Sequence, residues 1–248
     1  MKKLIIILLL LFINLPYHPA RATFYGKATA GFQYVPKLGS GYGVYVPRSF
    51  DPTKKNTLIF IFGRTLNDLA LTKEQLKDYA ELWVEESEKR GAVVVVPYWQ
   101  PVVVEGHQHT EKFFLEVLTE AKSMYNISPK KVLLVGFGLG TVQAFSLAAF
   151  HPGEFSAVAT IAGSPLRDTV TRNLMMERLI GGLPPGKLPP VLLVHGEMDT
   201  VIPMSWLQED KTFLEAKGSK VQLKSIQGMA HNHDPRATSI ILDWFETI

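Results

Sequence analysis

Cysteine is absent from this 248-residue chain. Without it the protein has no disulfide bond and no thiolate nucleophile, so a domain of this size must depend on a hydrophobic core for its stability.

An excess of charge of one sign is also missing, because 26 Lys and Arg residues stand against 23 Asp and Glu residues. A nucleic-acid-binding protein would present a basic face, and the sequence therefore predicts no nucleic-acid partner.

The longest apolar run lies at the amino terminus, where Lys2-Lys3 precede a run that extends to Asn14, and the small-x-small sequence Ala20-Arg21-Ala22 follows. This order is typical of a signal peptide, and the run is short for the roughly 20 residues that span a membrane. We expect cleavage after residue 22, export to the periplasm or the medium as a single domain of residues 23–248, and no stable membrane anchor. An uncleaved anchor is the alternative.

Strand-like and helix-like segments alternate along the rest of the chain, a pattern typical of a mainly parallel sheet with helices on both faces. The predicted strands are 32–36, 42–46, 57–62, 92–97, 132–136, 157–162, 191–195 and 221–226. The predicted helices are 73–90, 110–125, 139–151, 204–217 and 234–247. The sequence therefore predicts an α/β fold with a mostly parallel eight-stranded sheet.

Residues 165–190 have no strand signal and are long for a plain loop. We interpret them either as an insert that shapes a substrate pocket or as a passive surface excursion. Trp99, Trp206 and Met229 are candidates both for a pocket wall and for packing. His107 and His109 form an isolated pair that we expect in an exposed loop, so no metal-ligand spacing and no cofactor is predicted.

A glycine-rich turn, residues 135–140 (Val-Gly-Phe-Gly-Leu-Gly), links a predicted strand to a predicted helix. Hydrolases that place a nucleophilic serine on such a turn use the pattern G-x-S-x-G. Gly136 and Gly140 supply the small flanking residues, but Gly138 stands at the serine position and carries no hydroxyl. We therefore assign Gly138 as the nucleophile position and expect acyl-enzyme chemistry to be lost there.

An acid and a histidine follow the turn in the order that such hydrolases use. Asp199 comes after the predicted strand 191–195, and His231 lies between the last predicted strand and the last helix. A dinucleotide-binding turn is the wrong interpretation of the glycines, because G-x-G-x-x-G requires a small residue where Thr141 stands.

Together these segments resemble the phospholipase/carboxylesterase and dienelactone-hydrolase-like group of α/β-hydrolases, which includes polyhydroxybutyrate depolymerase and feruloyl esterase relatives. The resemblance extends from about Gly43 to Trp244 and implies hydrolysis of a small-molecule ester or acyl substrate. The segments that carry it are Tyr45-Val-Pro-Arg, Gly136-Phe-Gly-Leu-Gly-Thr, His151-Pro152, Ala162-Gly-Ser-Pro, His195-Gly-Glu-Met-Asp199 and Gly228-Met-Ala-His231.

The resemblance also implies roles for individual residues. Asp199 would orient and polarise His231, which would act as the base, and His231 is preferred to His233 on its position in the motif. The oxyanion hole would use the backbone N–H groups of Leu139 and Arg64. The alternatives are that Asp199 only caps a loop and that His231 is a surface histidine; His195 is interpreted as a packing residue at a strand end.

Two departures leave the function open. Gly138 replaces the serine, and Phe62-Gly63 stands where relatives have His-Gly. Thr141 or Ser164 could in principle supply a relocated hydroxyl, or His231 and Asp199 could act on water. The chain is thus an esterase-type protein that has lost its nucleophile, by nature or by an introduced change, or a non-catalytic relative that binds a small molecule or a protein.

Overall fold

The computed structural model describes residues 28–37, 40–63, 72–97, 107–167 and 175–248. Within them, eight strands form one sheet in the order β1-β2-β4-β3-β5-β6-β7-β8. The strands are β1 (Gly31–Lys37), β2 (Ser40–Val46), β3 (Asn56–Phe62), β4 (Ala92–Pro97), β5 (Ile127–Phe137), β6 (Ala157–Ile161), β7 (Val191–Gly196) and β8 (Val221–Ile226). All eight predicted strands are therefore confirmed.

The sheet is mostly parallel, as predicted. β2 pairs in an antiparallel manner with β1 and with β4, whereas β4, β3, β5, β6, β7 and β8 pair in parallel. The Val and Leu runs of β4 and β7 are buried along their whole length, which is why these runs show no polar alternation. The predicted fold class is confirmed.

The helices agree with the prediction except at three places. They are α1 (Lys73–Glu81), α2 (Val84–Arg90), α3 (His107–Met124), α4 (Gly140–Phe150), α5 (Met175–Gly181), α6 (Met204–Ala216) and α7 (Pro235–Phe245). The single helix predicted over 73–90 is in fact two, separated at Leu82 and Trp83. No Gly or Pro marks this break, and the turn places the indole of Trp83 in the core, where it is 1% exposed.

The other two corrections concern α3 and α5. His107 and His109 lie in the first turn of α3, so the expectation that they belong to a loop was wrong. The predicted start at residue 110 was thus three residues too late. The helix α5 lies inside the 165–190 segment, where no helix was predicted; Met176 and Ile180 on it are buried, but seven residues are too few to show a clear period.

Because β3 to β8 are parallel, their carboxyl ends meet at one edge, here called the carboxyl edge of the sheet. Gly138 directly follows β5, Asp199 follows β7, and His231 follows β8. Ligands of open α/β sheets bind outside this edge. The fold therefore brings the three predicted site positions to the same side of the molecule.

Candidate active site

The turn after β5 has the backbone geometry of a tight strand-to-helix connection. Gly138 has φ of 53°, in the left-handed region that glycine adopts without steric cost. Its N–H donates to the Ile161 carbonyl at 3.0 Å, and its own carbonyl accepts from the Thr141 N–H at 3.1 Å. A Cβ on Gly140 would collide with the backbone carbonyl of Phe62. The turn is therefore packed against the end of β3, and a glycine at 140 is required.

The residue after Gly138 offers a backbone donor. Leu139 immediately precedes α4, an eleven-residue helix, and no residue of the described ranges accepts a hydrogen bond from its N–H. The amino end of a helix carries a partial positive charge that stabilises an anion. The Leu139 N–H can thus stabilise a developing oxyanion, whereas Arg64, the second predicted donor, lies outside the described residues.

Phe62, at the position where the family resemblance implies a histidine, is a core residue. Its side chain has no exposed surface, and its ring packs edge to face against Phe60 at 5.7 Å and Phe114 at 4.7 Å between centroids. This aromatic cluster holds the end of β3 in place. Phe62 therefore offers no polar side chain to the site, while its backbone carbonyl lies close to the turn at Gly140.

Three hydrogen bonds hold the carboxylate of Asp199 in place. Its side chain has no exposed surface; Oδ1 accepts from the N–H groups of Val201 at 2.8 Å and Ile202 at 2.9 Å, and Oδ2 lies 2.8 Å from Nδ1 of His231. Burial raises the pKa of this carboxyl, but the hydrogen bond to His231 and those from the loop outweigh it and hold the pKa below its usual value. Asp199 is therefore ionised.

The protonation of His231 follows from its partner. An ionised carboxylate can only accept, so Nδ1 carries the proton and Nε2 presents a lone pair when the ring is neutral. Among the described residues Nε2 has no hydrogen-bond partner. The ring stacks on Phe137 with centroids 6.3 Å apart, and Phe137 directly precedes Gly138. An imidazole whose orientation is fixed by a carboxylate thus lies beside the turn.

His233 has a different environment. Its Nε2 lies 2.9 Å from the Thr238 hydroxyl, and its ring makes edge contacts with Trp83 and Phe137, each with centroids 6.0 Å apart. Burial lowers the pKa of His233 to about 4. This histidine is a packed neighbour of the site, and the structure brings His231, not His233, to Asp199.

The loops that carry the acid and the histidine are joined through their backbones. The Met198 N–H donates to the Met229 carbonyl at 2.9 Å, and the Glu197 N–H donates to the Ile226 carbonyl at 3.1 Å. A Cβ on Gly196 would collide with the same Met229 carbonyl. The distance between Asp199 and His231 therefore depends on a close approach that only glycine at 196 allows.

We accordingly predict that Gly196→Ala destabilises the protein by about 1–3 kcal/mol, the usual effect of overpacking where backbone must move. Guanidinium unfolding midpoints measure the loss. Gly153→Ala is the matched control, because a Cβ at that position meets nothing within 4 Å. An equal midpoint for the two variants would contradict the importance of the close approach.

Neither hydroxyl considered as a relocated nucleophile is available. Thr141 and Ser164 have no exposed surface. The Thr141 hydroxyl donates to the Gly136 carbonyl at 3.2 Å, and the Ser164 hydroxyl donates to Asp210 at 2.5 Å. A substrate carbonyl cannot reach either oxygen in this structure.

Sequence reasoning missed the partner of Ser164. Asp210 on α6 is fully buried, and burial raises its pKa to about 7. Nη1 of Arg167 lies 3.4 Å from Oδ1 of Asp210. The guanidinium carbon of Arg167 lies over the Trp206 ring, 5.1 Å from the ring centroid. No spacing in the sequence signals this cluster.

Of the pocket candidates, Trp206 thus packs against an arginine, Met229 is 1% exposed, and Trp99 lies outside the described residues.

Comparison with solved structures supports the fold. Esterase PE8 matches with a TM-score of 0.60 at 16% identity, over 87% of this chain and 99% of its own. A thermophilic esterase from Thermogutta terrifontis, solved with butyrate bound, matches with a TM-score of 0.63 at 14% identity, over 88% of this chain and 94% of its own. A thermostable esterase gives 0.60 at 17% identity, over 87% of this chain and 62% of its own. At these identities the likeness establishes the fold alone.

A family model assigns the chain more narrowly. The model for phospholipases and carboxylesterases matches residues 108–248. This range is more than half of the chain and includes the turn at Gly138, the acid Asp199 and the histidine His231. The protein therefore belongs to the phospholipase/carboxylesterase family of α/β-hydrolases.

Proposed function

We propose that this protein is an esterase-type hydrolase that binds a carboxylic ester or acid at the carboxyl edge of the sheet but forms no acyl-enzyme. One observation carries the proposal: the His231–Asp199 pair is assembled, with 2.8 Å between Nδ1 and Oδ2, beside a turn that has glycine at the nucleophile position. The base and its orienting acid are present. The hydroxyl that they would activate is absent.

The remaining chemistry is slow attack by water. His231 Nε2 would take a proton from a water molecule as the water oxygen bonds to the substrate carbonyl carbon. The carbonyl oxygen would gain negative charge near the Leu139 N–H, and the imidazolium would return the proton to the departing alkoxide. The products are the acid and the alcohol, and no bond to the protein is formed.

A short acyl ester is the rational first ligand. The structurally similar Thermogutta terrifontis esterase was solved with butyrate bound, and the family includes carboxylesterases. We therefore propose p-nitrophenyl butyrate as the test ester and butyrate as the test ligand for the unmodified chain.

The test is the time course of p-nitrophenol release by the unmodified protein. We expect no burst, since no acyl-enzyme accumulates, and a slow steady rate that disappears in His231→Ala. His151→Ala, a half-buried histidine at the end of α4, is the matched control and should keep that rate. A burst of one equivalent, or a rate that survives His231→Ala, would contradict the proposal.

A binding function without turnover is the second candidate. The absence of a hydroxyl at Gly138 favours it, and so does the buried phenylalanine at position 62, where the resemblance implies a histidine. In that case butyrate or a related acid binds, as titration calorimetry would detect, but no ester is hydrolysed even when a serine is introduced at position 138.

Export is a further part of the proposal, supported by the basic, apolar and small-x-small order of residues 1–22. No helix in the described ranges is long and apolar enough to cross a membrane. Amino-terminal sequencing of the protein from the periplasm or the medium should begin at Thr23. An intact amino terminus at Met1 in the membrane fraction would favour the uncleaved anchor.

A further inference from the structure

His195 is a buried histidine that the proposed mechanism does not use. It lies near the end of β7, four residues before Asp199, and its side chain has no exposed surface. From the sequence we interpreted it as a packing residue. Its hydrogen bonding indicates a more specific role.

The ring is bound to the turn that carries Asp199. Its Nε2 lies 2.8 Å from the Ile202 carbonyl oxygen and 3.6 Å from Oδ2 of Asp199. A carbonyl only accepts hydrogen bonds, so Nε2 carries the proton. The Ile202 N–H in turn donates to Oδ1 of Asp199 at 2.9 Å. His195 therefore contacts both ends of the turn that fixes the carboxylate.

The other ring nitrogen argues against simple packing. Within the described residues, Nδ1 of His195 is buried and has no hydrogen-bond partner. Burying an unpaired polar atom is unfavourable, and an aliphatic side chain would fill the same space without that penalty. Burial also lowers the pKa of His195, so the ring is neutral and does not compete with His231 for the charge of Asp199.

We infer that His195 is a positioning residue: its Nε2–H holds the 199–202 turn so that Asp199 presents Oδ2 to His231. This inference rests on the proposed role of the His231–Asp199 pair. His231, Asp199 and His195 then form a row in which two imidazoles approach the same carboxylate oxygen. Oδ2 of Asp199 lies 2.8 Å from His231 and 3.6 Å from His195. The closer one is the base, and the farther one fixes the turn.

Two substitutions separate hydrogen bonding from packing. His195→Gln places an amide N–H near the position of Nε2, whereas His195→Leu fills the space without a donor. NMR of histidine-labelled, otherwise unmodified protein follows the proton on Nδ1 of His231 and its exchange with water. We expect the exchange to accelerate roughly tenfold in His195→Leu, as for loss of one hydrogen bond, and to stay near the parent rate in His195→Gln.

Leu118→Ala in the core of α3 is the control for general destabilisation, since Leu118 is buried on an element that does not carry the site. The same acceleration in Leu118→Ala, or none in His195→Leu, would overturn the inference. If His195→Leu does not fold, His195→Asn replaces it, because its shorter amide does not reach the Ile202 carbonyl. Parent-like exchange in that variant would overturn the inference equally.

Activity gives an independent measurement in a Gly138→Ser background. There His195→Leu should lower kcat roughly tenfold or more, as expected when a catalytic group is displaced slightly, with KM little changed, and His195→Gln should restore most of the loss. If Gly138→Ser itself gains no activity, the proposed function fails, and the NMR comparison alone decides the role of His195.

Discussion

Replacing Gly138 with serine is expected to raise the turnover of p-nitrophenyl butyrate by on the order of 10³-fold or more, because it supplies the hydroxyl that a covalent route requires. The proposed base next to it is already oriented: Nδ1 of His231 is bound to Asp199 at 2.8 Å, and its Nε2 has no partner within the described ranges. Steady-state rates of the two proteins on the same ester measure the gain. A folded Gly138→Ser protein without any gain would favour the binding function.

Gly138→Ala is the matched control for that substitution. Gly138 has φ of 53°, and a side chain in this left-handed region costs roughly 1–2 kcal/mol. Both variants should therefore lose a few degrees of Tm, roughly 2–4 °C per kcal/mol for a domain of this size. Only the serine variant should gain activity, because it alone adds a hydroxyl. Equal activity in the alanine variant would exclude a covalent role for position 138.

The second large effect is expected from Asp199. In the Gly138→Ser background, Asp199→Asn should lower kcat by about 10³- to 10⁴-fold, since the amide no longer favours the tautomer with the proton on Nδ1 of His231. Asp199 is ionised and buried, with Oδ1 bound by two N–H groups of its own loop and Oδ2 by the histidine. Kinetics on p-nitrophenyl butyrate at neutral pH measure the loss.

Combining Asp199→Asn with His231→Ala in the Gly138→Ser background shows whether Asp199 acts through His231 or separately from it. If the acid acts through the histidine, the Asp199→Asn/His231→Ala pair should be no slower than His231→Ala alone, because residues that act as a unit are not additive. His233→Gln is the control: it changes a neighbouring histidine that contacts Phe137 but is bound to Thr238. If the loss of kcat in the double variant equals the product of the losses in the two single variants, the assignment of Asp199 and His231 as a pair is contradicted.

The sequence predicted the sheet well because its signals are local. The strand β4 contains four consecutive Val residues and β7 contains the run Val-Leu-Leu-Val, so a short stretch of sequence is enough to indicate each buried strand. The approach of Asp199 to His231 was also predictable, since residues that follow parallel strands in a known order meet at one edge. The break at Trp83 was not, because the tertiary burial of its indole, not a Gly or Pro, determines it.

The polar contacts between side chains on different elements could not be predicted in the same way. Ser164 and Asp210 are 46 residues apart and bond at 2.5 Å, and no spacing rule joins a β6 loop to a position on α6. His195 was interpreted as packing because a lone histidine at a strand end has no local signal of a hydrogen bond to Ile202. Such contacts depend on side-chain geometry, which appears only once the elements are packed.

Intact-protein mass spectrometry after treatment with an alkyl fluorophosphonate tests directly whether the site lacks its nucleophile while the proposed base and acid are in place. This reagent phosphonylates a serine activated by a neighbouring histidine. Our expectation is no adduct on the unmodified protein and one adduct, mapped to position 138, on Gly138→Ser. An adduct on the unmodified protein, or none on the folded Gly138→Ser protein, would contradict it.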